Sequence, residues 1–246
     1  MGKDRSGRCV EEGRLTTGGS PGTERLLYGR RHGRPMRQGK RHALDSILPT
    51  IALTLPPSGE MDPAGLFDGH VREVWLEIGA GNGDHAIWQA AKNPSVGVIA
   101  VEPFMNGVAT LAAGANHHSL RNVRVLADDV RLLLPKLKPG SIDRVFILFP
   151  DPWPKRRHWR RRIISLAVLD QLAAVMAPGA ELRVGTDHLS YLVWMLRVLR
   201  AHPELCWQPA CADDWRLRPD DWPETRFEAK GREAGRPSTY LSLRRA

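Results

Sequence analysis

Cysteine is scarce in this chain, and long apolar runs are missing. Only 3 of the 246 residues are cysteines. Cys9, Cys206 and Cys211 form an odd, scattered set, which indicates free thiols and disfavours a disulfide framework or a zinc site. No apolar run approaches the roughly 18 residues of a membrane-spanning helix, and the N-terminus lacks the apolar stretch of a secretory signal. The sequence therefore predicts a cytoplasmic protein with no metal and no membrane partner.

Negative charge is also in short supply, mostly at one end of the chain. The 36 Lys/Arg and 27 Asp/Glu give a net charge of +9, and residues 1–42 contribute +7 of it with 11 Lys/Arg and 4 Asp/Glu. Residues 1–40 have few apolar positions, so we predict a basic arm, disordered at least to about residue 27, and then a single domain over residues 41–246. Such an arm is either a solvated tail or a contact for a polyanion.

Strand and helix patterns alternate from residue 71 onward. Short apolar, β-branched runs predict strands at 71–79, 96–102, 123–129, 143–149, 180–186 and 238–244. Amphipathic patterns predict helices at 84–93, 105–118, 161–179 and 189–202. This alternation predicts a doubly wound α/β sheet, which binds its ligand at the carboxyl ends of the strands.

A glycine-rich turn follows the first predicted strand. The sequence LEIGAGNGDH places Gly79, Gly81 and Gly83 where the backbone turns tightly and can approach a ligand closely. The spacing is G-x-G-x-G, which differs from the G-x-G-x-x-G of a pyrophosphate-binding dinucleotide site. Glu77 precedes the turn and would repel a pyrophosphate. The turn therefore favours a cationic or neutral ligand.

Acidic residues end the next two predicted strands. Glu102 is well placed to accept hydrogen bonds from two ribose hydroxyls. Asp128 or Asp129 could bind an adenine amino group, although Asp129 could instead cap the following helix. Each acid alone is consistent with an ordinary loop residue. Together with Glu77 and the glycines they indicate S-adenosylmethionine, which carries an ammonium and a sulfonium but no phosphate.

The fourth predicted strand leads into an acid, a tryptophan and a block of positive charge. Pro150 and Pro152 restrict the backbone around Asp151 and Trp153. A carboxylate can accept hydrogen bonds from a base edge, and an indole can stack on a base. Residues 155–162 include six Lys/Arg. Positive charge at a helix start opposes the helix dipole, so a polyanionic partner explains this block better than a solvated helix start.

Four motifs resemble those of the bacterial tRNA (guanine-N7-)-methyltransferase family. They are LEIGAGNGDH, FPDPWPKRRHWRRRI, GTDH and ETRFEAKGREAG, and residues 28–45 resemble that family's N-terminal segment. The resemblance extends from about Tyr28 to the C-terminus. It implies a Rossmann-like class I methyltransferase with a mostly parallel, seven-stranded sheet. It also implies S-adenosylmethionine as the methyl donor, and tRNA as the partner, methylated at N7 of the variable-loop guanine by a monomer or a homodimer.

The resemblance assigns roles to individual residues. Its cofactor contacts are Glu77, Glu102, Asp128 and Asp151, and Asp151 is also the proposed catalytic acid. Its substrate contacts are Lys155, Asp187, Thr225, Arg226, Phe227 and Glu228, with Arg226 where the family often has Lys. The RNA-contacting stretch comprises Arg157, His158, Trp159, Arg160, Arg161 and Arg162.

Methylation at guanine N7 needs little acid–base chemistry. The nitrogen carries an in-plane lone pair, and no proton has to leave before or after it attacks the methyl group. Catalysis then rests on alignment and electrostatics. We therefore expect Asp151 to hold the guanine and offset the positive charge that grows on its ring. Asp187 and Glu228 are candidates for accepting hydrogen bonds from the guanine N1–H and N2 amino group.

Three other functions compete with this interpretation. An adenine or cytosine amino-methyltransferase carries an Asp-Pro-Pro-aromatic motif after its fourth strand, but here Trp153 and the basic block replace the second proline and the aromatic. A non-catalytic RNA-binding module would not need Glu77, Asp151 and the glycine turn. A small-molecule methyltransferase would not need two basic patches.

Overall fold

The computed structural model describes residues 28–69 and 71–246. The predicted disorder of the arm up to residue 27 concerns residues outside this range. Within the described residues, no helix is long and apolar enough to cross a membrane. The strands of the sheet are β1 Glu73–Ile78, β2 Val96–Val101, β3 Val123–Leu126, β4 Ile142–Leu148, β5 Met176–Thr186, β6 Leu205–Cys206 and β7 Thr239–Arg245. The α-helices are α1 Gln38–His42, α2 Leu48–Ile51, α3 Asp84–Lys92, α4 Met105–His117, α5 Val130–Leu133, α6 Leu166–Val175, α7 Leu189–Ala201, α8 Asp213–Arg216 and α9 Arg226–Glu233.

The seven described strands form one sheet in the order β3-β2-β1-β4-β5-β7-β6. Strands β1 to β5 pair in parallel, and β7 runs antiparallel to both β5 and β6. The strand order reverses between β1 and β4, so a crevice forms at the carboxyl ends of these two strands. The predicted doubly wound, mostly parallel, seven-stranded α/β sheet is confirmed.

A hydrophobic layer covers each face of the sheet. Leu76 and Val145 pack with α6 and α7 on one face, whereas Trp75 and Phe146 pack with α3 and α4 on the other. Successive strand residues therefore alternate between two buried layers, and every residue of β2 is buried. This double burial explains why the strands are continuous apolar runs in the sequence.

The basic block lies outside the helix in which we expected it. The helix predicted at 161–179 begins at Leu166 and ends at Val175, after which the chain enters β5. Arg156–Arg161 forms a separate 3-10 segment, in which the N–H of His158 donates to the carbonyl of Lys155 (2.8 Å). The expectation that these cations oppose the dipole of the following helix is therefore wrong. Their exposure is the better indication of a polyanionic partner, since Arg156, Arg157 and Arg160 all face solvent.

Three short elements near the C-terminus were not expected, namely strand β6 and helices α8 and α9. Strand β6 has only two residues and extends the sheet edge beside β7. Helix α9 starts with a capping box, because the Thr225 side chain accepts from the N–H of Glu228 while the Glu228 carboxylate accepts from the N–H of Thr225. The T-R-F-E sequence matches the pattern that starts such helices. This stretch thus has a structural task besides the substrate contact that the resemblance implies.

Candidate active site

A cavity of about 350 Å³ opens at the carboxyl ends of strands β1 to β4. It lies in the crevice beside β1 and β4, where a doubly wound sheet is expected to bind its ligand. Many predicted site residues contribute to its wall. They are Glu77, Gly79, Gly81, Glu102, Asp128, Asp129, Asp151, Arg161, Thr225 and Phe227.

The glycine turn has the backbone conformation that its composition predicts. Gly79, Gly81 and Gly83 have φ angles of 78°, 58° and 84°, which L side chains rarely adopt. Gly79 and Gly81 line the cavity. Gly83 does not, and a Cβ there would lie 2.5 Å from Cγ of Leu111. This glycine lets the start of α3 pack closely against α4, and the cofactor contact at Gly83 stays a prediction.

A buried histidine fixes the carboxylate of Glu77 at the end of β1. The side chains of Glu77 and His85 are 4% and 1% exposed, and Nδ1 of His85 lies 2.8 Å from Oε2 of Glu77. The amide nitrogen of Gln89 lies 3.1 Å from Nε2 of His85. Because an amide nitrogen can only donate, Nε2 accepts and the Nδ1–H of His85 donates to Glu77. Sequence reasoning missed His85. Its position four residues before Gln89 on α3 could have indicated that these two side chains contact each other.

Glu102 ties the second strand to the glycine turn. Its two carboxylate oxygens accept from the backbone N–H groups of Gly81 and Phe104, both at 2.7 Å. Burial raises the pKa of Glu102, and the two N–H donors partly offset that effect. A carboxylate has more lone pairs than these two bonds use, so Glu102 can still accept hydrogen bonds from ligand hydroxyls.

The two acids after β3 have different partners. The Asp129 carboxylate accepts from the backbone N–H of Arg131 (2.9 Å) at the start of α5. It also forms an ion pair with the guanidinium of Arg131 (3.0 Å). The capping alternative for Asp129 is therefore the one that the structure contains. Asp128 instead lies 3.4 Å from the guanidinium of Arg31. Through Arg31, the N-terminal segment thus reaches the cavity at Asp128, whereas Asp129 caps α5.

The turn after β4 holds Asp151 between two residues with left-handed backbone. Phe149 and Trp153 have φ angles of 48° and 42°, a conformation that costs non-glycine residues about 1–2 kcal/mol each. The N–H of Phe149 donates to the carbonyl of Gly185 on β5 (2.8 Å). Asp151 lines the cavity and is exposed as a whole residue, but partial desolvation at the cavity wall raises the pKa of its carboxyl group. Backbone strain of this kind is typical of functional sites.

Aromatic and cationic side chains meet at the mouth of the cavity. The guanidinium carbon of Arg161 lies 4.8 Å from the ring centroid of Trp153 and 5.5 Å from that of Tyr28. All three residues contribute to the cavity wall. His158 packs edge-on against Trp153. Partial desolvation and the neighbouring cations, led by Arg161, lower the pKa of His158.

Several predicted site residues lie outside the cavity. Asp187 follows β5, where its carboxylate accepts from Nε of Arg236 (2.9 Å). Glu228 is 5% exposed and accepts from the hydroxyl of Tyr240, and its contact with a guanine stays a prediction. The remaining predicted residues outside the wall are Lys155, Arg157, His158, Trp159, Arg160, Arg162 and Arg226.

Arg162 is the one residue of the basic block whose side chain is fully buried. It was predicted to contact RNA, but its side chain is 1% exposed. Its Nε donates to the carbonyl of Pro152 (2.9 Å), and aromatic rings surround the guanidinium. A group buried in this way cannot reach a phosphate in this structure.

Solved structures of other proteins share this fold. The crystal structure of the 16S rRNA methyltransferase KamB superposes with a TM-score of 0.51 at 18% identity, covering 72% of this chain and 89% of that chain. TrmN from Thermus thermophilus gives a TM-score of 0.52 at 18% identity, covering 72% of this chain and 45% of that chain. The family described as "Putative methyltransferase" matches residues 71–241. The fold and the site together define a Rossmann-like class I methyltransferase.

Curated relatives give the particular family. The tRNA (guanine-N(7)-)-methyltransferase of Rhodospirillum rubrum is 46% identical over 228 residues, which cover 92% of this chain and 89% of the relative. The tRNA (guanine-N(7)-)-methyltransferase of Azorhizobium caulinodans is 45% identical over 219 residues, which cover 89% of this chain and 94% of the relative. The chain belongs to the tRNA (guanine-N(7)-)-methyltransferase family.

Proposed function

We propose that this methyltransferase transfers a methyl group from S-adenosylmethionine to N7 of a guanine in tRNA, the variable-loop guanine. The observation that carries the proposal is the position of Asp151. It faces a cavity lined by acids and glycine backbone, and the exposed cations of Arg156–Arg161 follow it directly in the chain. A small ligand and a polyanion can therefore meet at one carboxylate. We further propose that the protein works in the cytoplasm, as a monomer or a homodimer.

The cavity suits S-adenosylmethionine, which when bound supplies an electrophilic methyl group on a sulfonium. The carboxylate of Glu77 is the natural partner for an ammonium group, and that of Glu102 for hydroxyls. Gly79 and Gly81 present backbone with no side chain in the way. Asp128 is the candidate for the adenine amino group, because Asp129 already caps α5.

Asp151 has an electrostatic task in this proposal. Guanine N7 attacks with its own lone pair, so the carboxylate does not need to remove a proton. It accepts a hydrogen bond from the base and offsets the positive charge that develops on the ring, in a site from which water is partly excluded. Trp153, in the same turn, offers a ring face for stacking.

The exposed cations hold the RNA in this proposal. Arg156, Arg157 and Arg160 face solvent in the segment that ends with Arg161 at the cavity wall, and the 28–42 segment adds further exposed arginines. Phosphate contacts of this kind position a nucleic acid without reading its bases. Base selection then falls to the groups at the cavity mouth.

The direct test is methyl transfer to bulk tRNA with labelled S-adenosylmethionine, followed by chain cleavage at 7-methylguanosine. We expect label at one position in the variable loop with the natural chain, and almost none with Asp151→Asn. Label on an adenine or cytosine amino group would instead support the amino-methyltransferase alternative. Binding of tRNA without any transfer would support a non-catalytic RNA-binding module.

A further inference from the structure

The last arginine of the basic block faces inward. Arg162 is 1% exposed, whereas its neighbour Arg160 faces solvent. Its guanidinium carbon lies 4.9 Å from the ring centroid of Trp159, 4.8 Å from that of Tyr191 and 5.2 Å from that of Trp194. Three aromatic rings on two segments of the chain therefore enclose one cation.

This cation has no carboxylate partner in the described part of the chain. Its one hydrogen bond there runs from Nε to the carbonyl of Pro152, the residue between Asp151 and Trp153. A buried charge that is compensated by ring faces and a single carbonyl is costly for the fold alone. Its orientation toward Pro152 indicates a task at the turn.

The rings are themselves anchored beside that turn. The Tyr191 hydroxyl accepts from the backbone N–H of Ile164 (3.3 Å), and Nε1 of Trp194 donates to the carbonyl of the same residue (2.8 Å). Two side chains of helix α7 thus form hydrogen bonds with the backbone of Ile164, two residues after Arg162. The guanidinium connects this rigid anchor to the turn.

The turn needs an external restraint. Phe149 and Trp153 hold left-handed backbone angles, and such angles persist only where the surroundings enforce them. Pro150, Pro152 and Pro154 have no N–H, so Asp151 and Trp153 supply the only amide hydrogens between Pro150 and Pro154. The turn can therefore form few hydrogen bonds of its own.

We infer that Arg162 is a positioning residue, which holds the Asp151–Trp153 turn in its reactive geometry and makes no contact with RNA. The inference rests on the proposed function of Asp151. Lysine cannot replace Arg162 in this task, because an ammonium lacks the planar faces that stack on three rings and the Nε–H that meets Pro152.

The test compares Arg162→Lys with Arg160→Ala. For Arg162→Lys we expect kcat at saturating tRNA and cofactor to fall by roughly 10- to 100-fold, because small displacements of a reacting group have effects of this size. Its affinity for tRNA and the salt dependence of that affinity should stay close to those of the natural enzyme. Arg160→Ala should instead raise the KM for tRNA and flatten the salt dependence.

Hydrogen exchange gives a readout that does not depend on activity. The amide of Phe149, which donates to the carbonyl of Gly185 at the start of the turn, should exchange faster in Arg162→Lys than in the natural chain, and at the natural rate in Arg160→Ala. Trp194→Leu, which removes one ring and one anchor bond, should change kcat and exchange in the same direction and serves if Arg162→Lys fails to fold.

The inference is overturned if Arg162→Lys behaves like Arg160→Ala, with weaker tRNA binding and unchanged exchange at the turn. It is also overturned if its kcat and exchange match those of the natural chain. An inactive natural chain would refute the proposed function instead, and the exchange rates would then still decide whether Arg162 restrains the turn.

Discussion

The carboxylate of Asp151 lines the cavity, where partial desolvation opposes its charge although the residue as a whole is exposed, and this makes its role measurable. Because this desolvation raises the pKa of the carboxyl group, the carboxylate is lost on acidification at a higher pH than an ordinary aspartate would be. If the charged form is the active one, activity is present above this raised pKa and disappears as the pH falls through it.

We therefore predict an acid limb in the pH profile of kcat that depends on Asp151. Asp151→Asn should remove that limb and lower kcat by about 10²-fold, the usual effect of deleting one electrostatic group at a reacting centre. Cofactor affinity, measured by calorimetry, should change much less. A near-natural turnover number in Asp151→Asn contradicts the assignment.

A second prediction concerns the buried pair of His85 and Glu77. His85→Ala leaves a buried carboxylate without its donor, which should lower the free energy of unfolding by about 1–3 kcal/mol. It should also weaken cofactor binding, because Glu77 lines the cavity. Urea denaturation and calorimetry measure the two effects. His85→Gln is the matched control, since it keeps an N–H donor, and equal losses in both variants would show that the hydrogen bond is unimportant.

The position of some residues could be predicted from the neighbouring sequence, and that of others could not. Glu77 and Glu102 could be located because each ends a strongly apolar strand, and parallel strands bring their carboxyl ends together. Arg162 and Glu228 could not, because their burial depends on Tyr191, Trp194 and Tyr240, which lie 12 or more residues away in the chain. Local charge alone suggested exposure in both cases.

At the scale of elements, helix α9 and its cap contribute both to the stability of the fold and to the cavity wall. Thr225 and Phe227 both contribute to the cavity wall, and Thr225 caps the helix. Glu228 completes the cap and joins the helix to β7 through the hydroxyl of Tyr240. The burial of Tyr240 and its bond with Glu228 raise the pKa of the phenol, so the phenol stays protonated and donates the bond.

We predict that Thr225→Ala lowers the free energy of unfolding by about 0.5–2 kcal/mol, the usual effect of losing a helix cap. The KM for tRNA should rise as well, because the cap positions Thr225 and Phe227 in the cavity wall. Thermal unfolding and initial-rate kinetics measure these effects. Thr225→Ser keeps the hydroxyl and should be nearly neutral. If Thr225→Ser were as damaging as Thr225→Ala, the methyl group would matter more than the cap.

Element types were easier to predict from the sequence than element boundaries. The alternating apolar strands and amphipathic helices have strong periodic patterns, and the strand ends were off by at most a few residues. The start of α6 was misplaced because Arg161 and Ile163 fit a helical pattern, whereas the aromatic rings around Arg162 hold the chain in a 3-10 turn and an extended link. Tertiary packing there overrides local preference.

For the whole molecule, the distribution of charge indicates which part we expect to bind RNA. Residues 1–27 hold 5 Lys/Arg and 4 Asp/Glu, a net charge of +1, whereas residues 28–42 hold 6 Lys/Arg and no acid, a net charge of +6. The basic character of the arm thus lies in the segment that the structure describes. There Arg31 pairs with Asp128, and Arg34, Arg37 and Arg41 face solvent.

We predict that deletion of residues 1–27 leaves tRNA affinity and its salt dependence nearly unchanged. Replacing Arg34 and Arg37 together by Ala should instead weaken binding and reduce the slope of log affinity against log salt by about 0.9 for each phosphate that the protein no longer neutralises. Filter binding at several salt concentrations measures both variants. Tyr28 is kept in the deletion because it lines the cavity beside Arg161. A large loss of affinity on deletion, with no effect of the double substitution, would mean that the first 27 residues bind tRNA through interactions that net charge does not reflect.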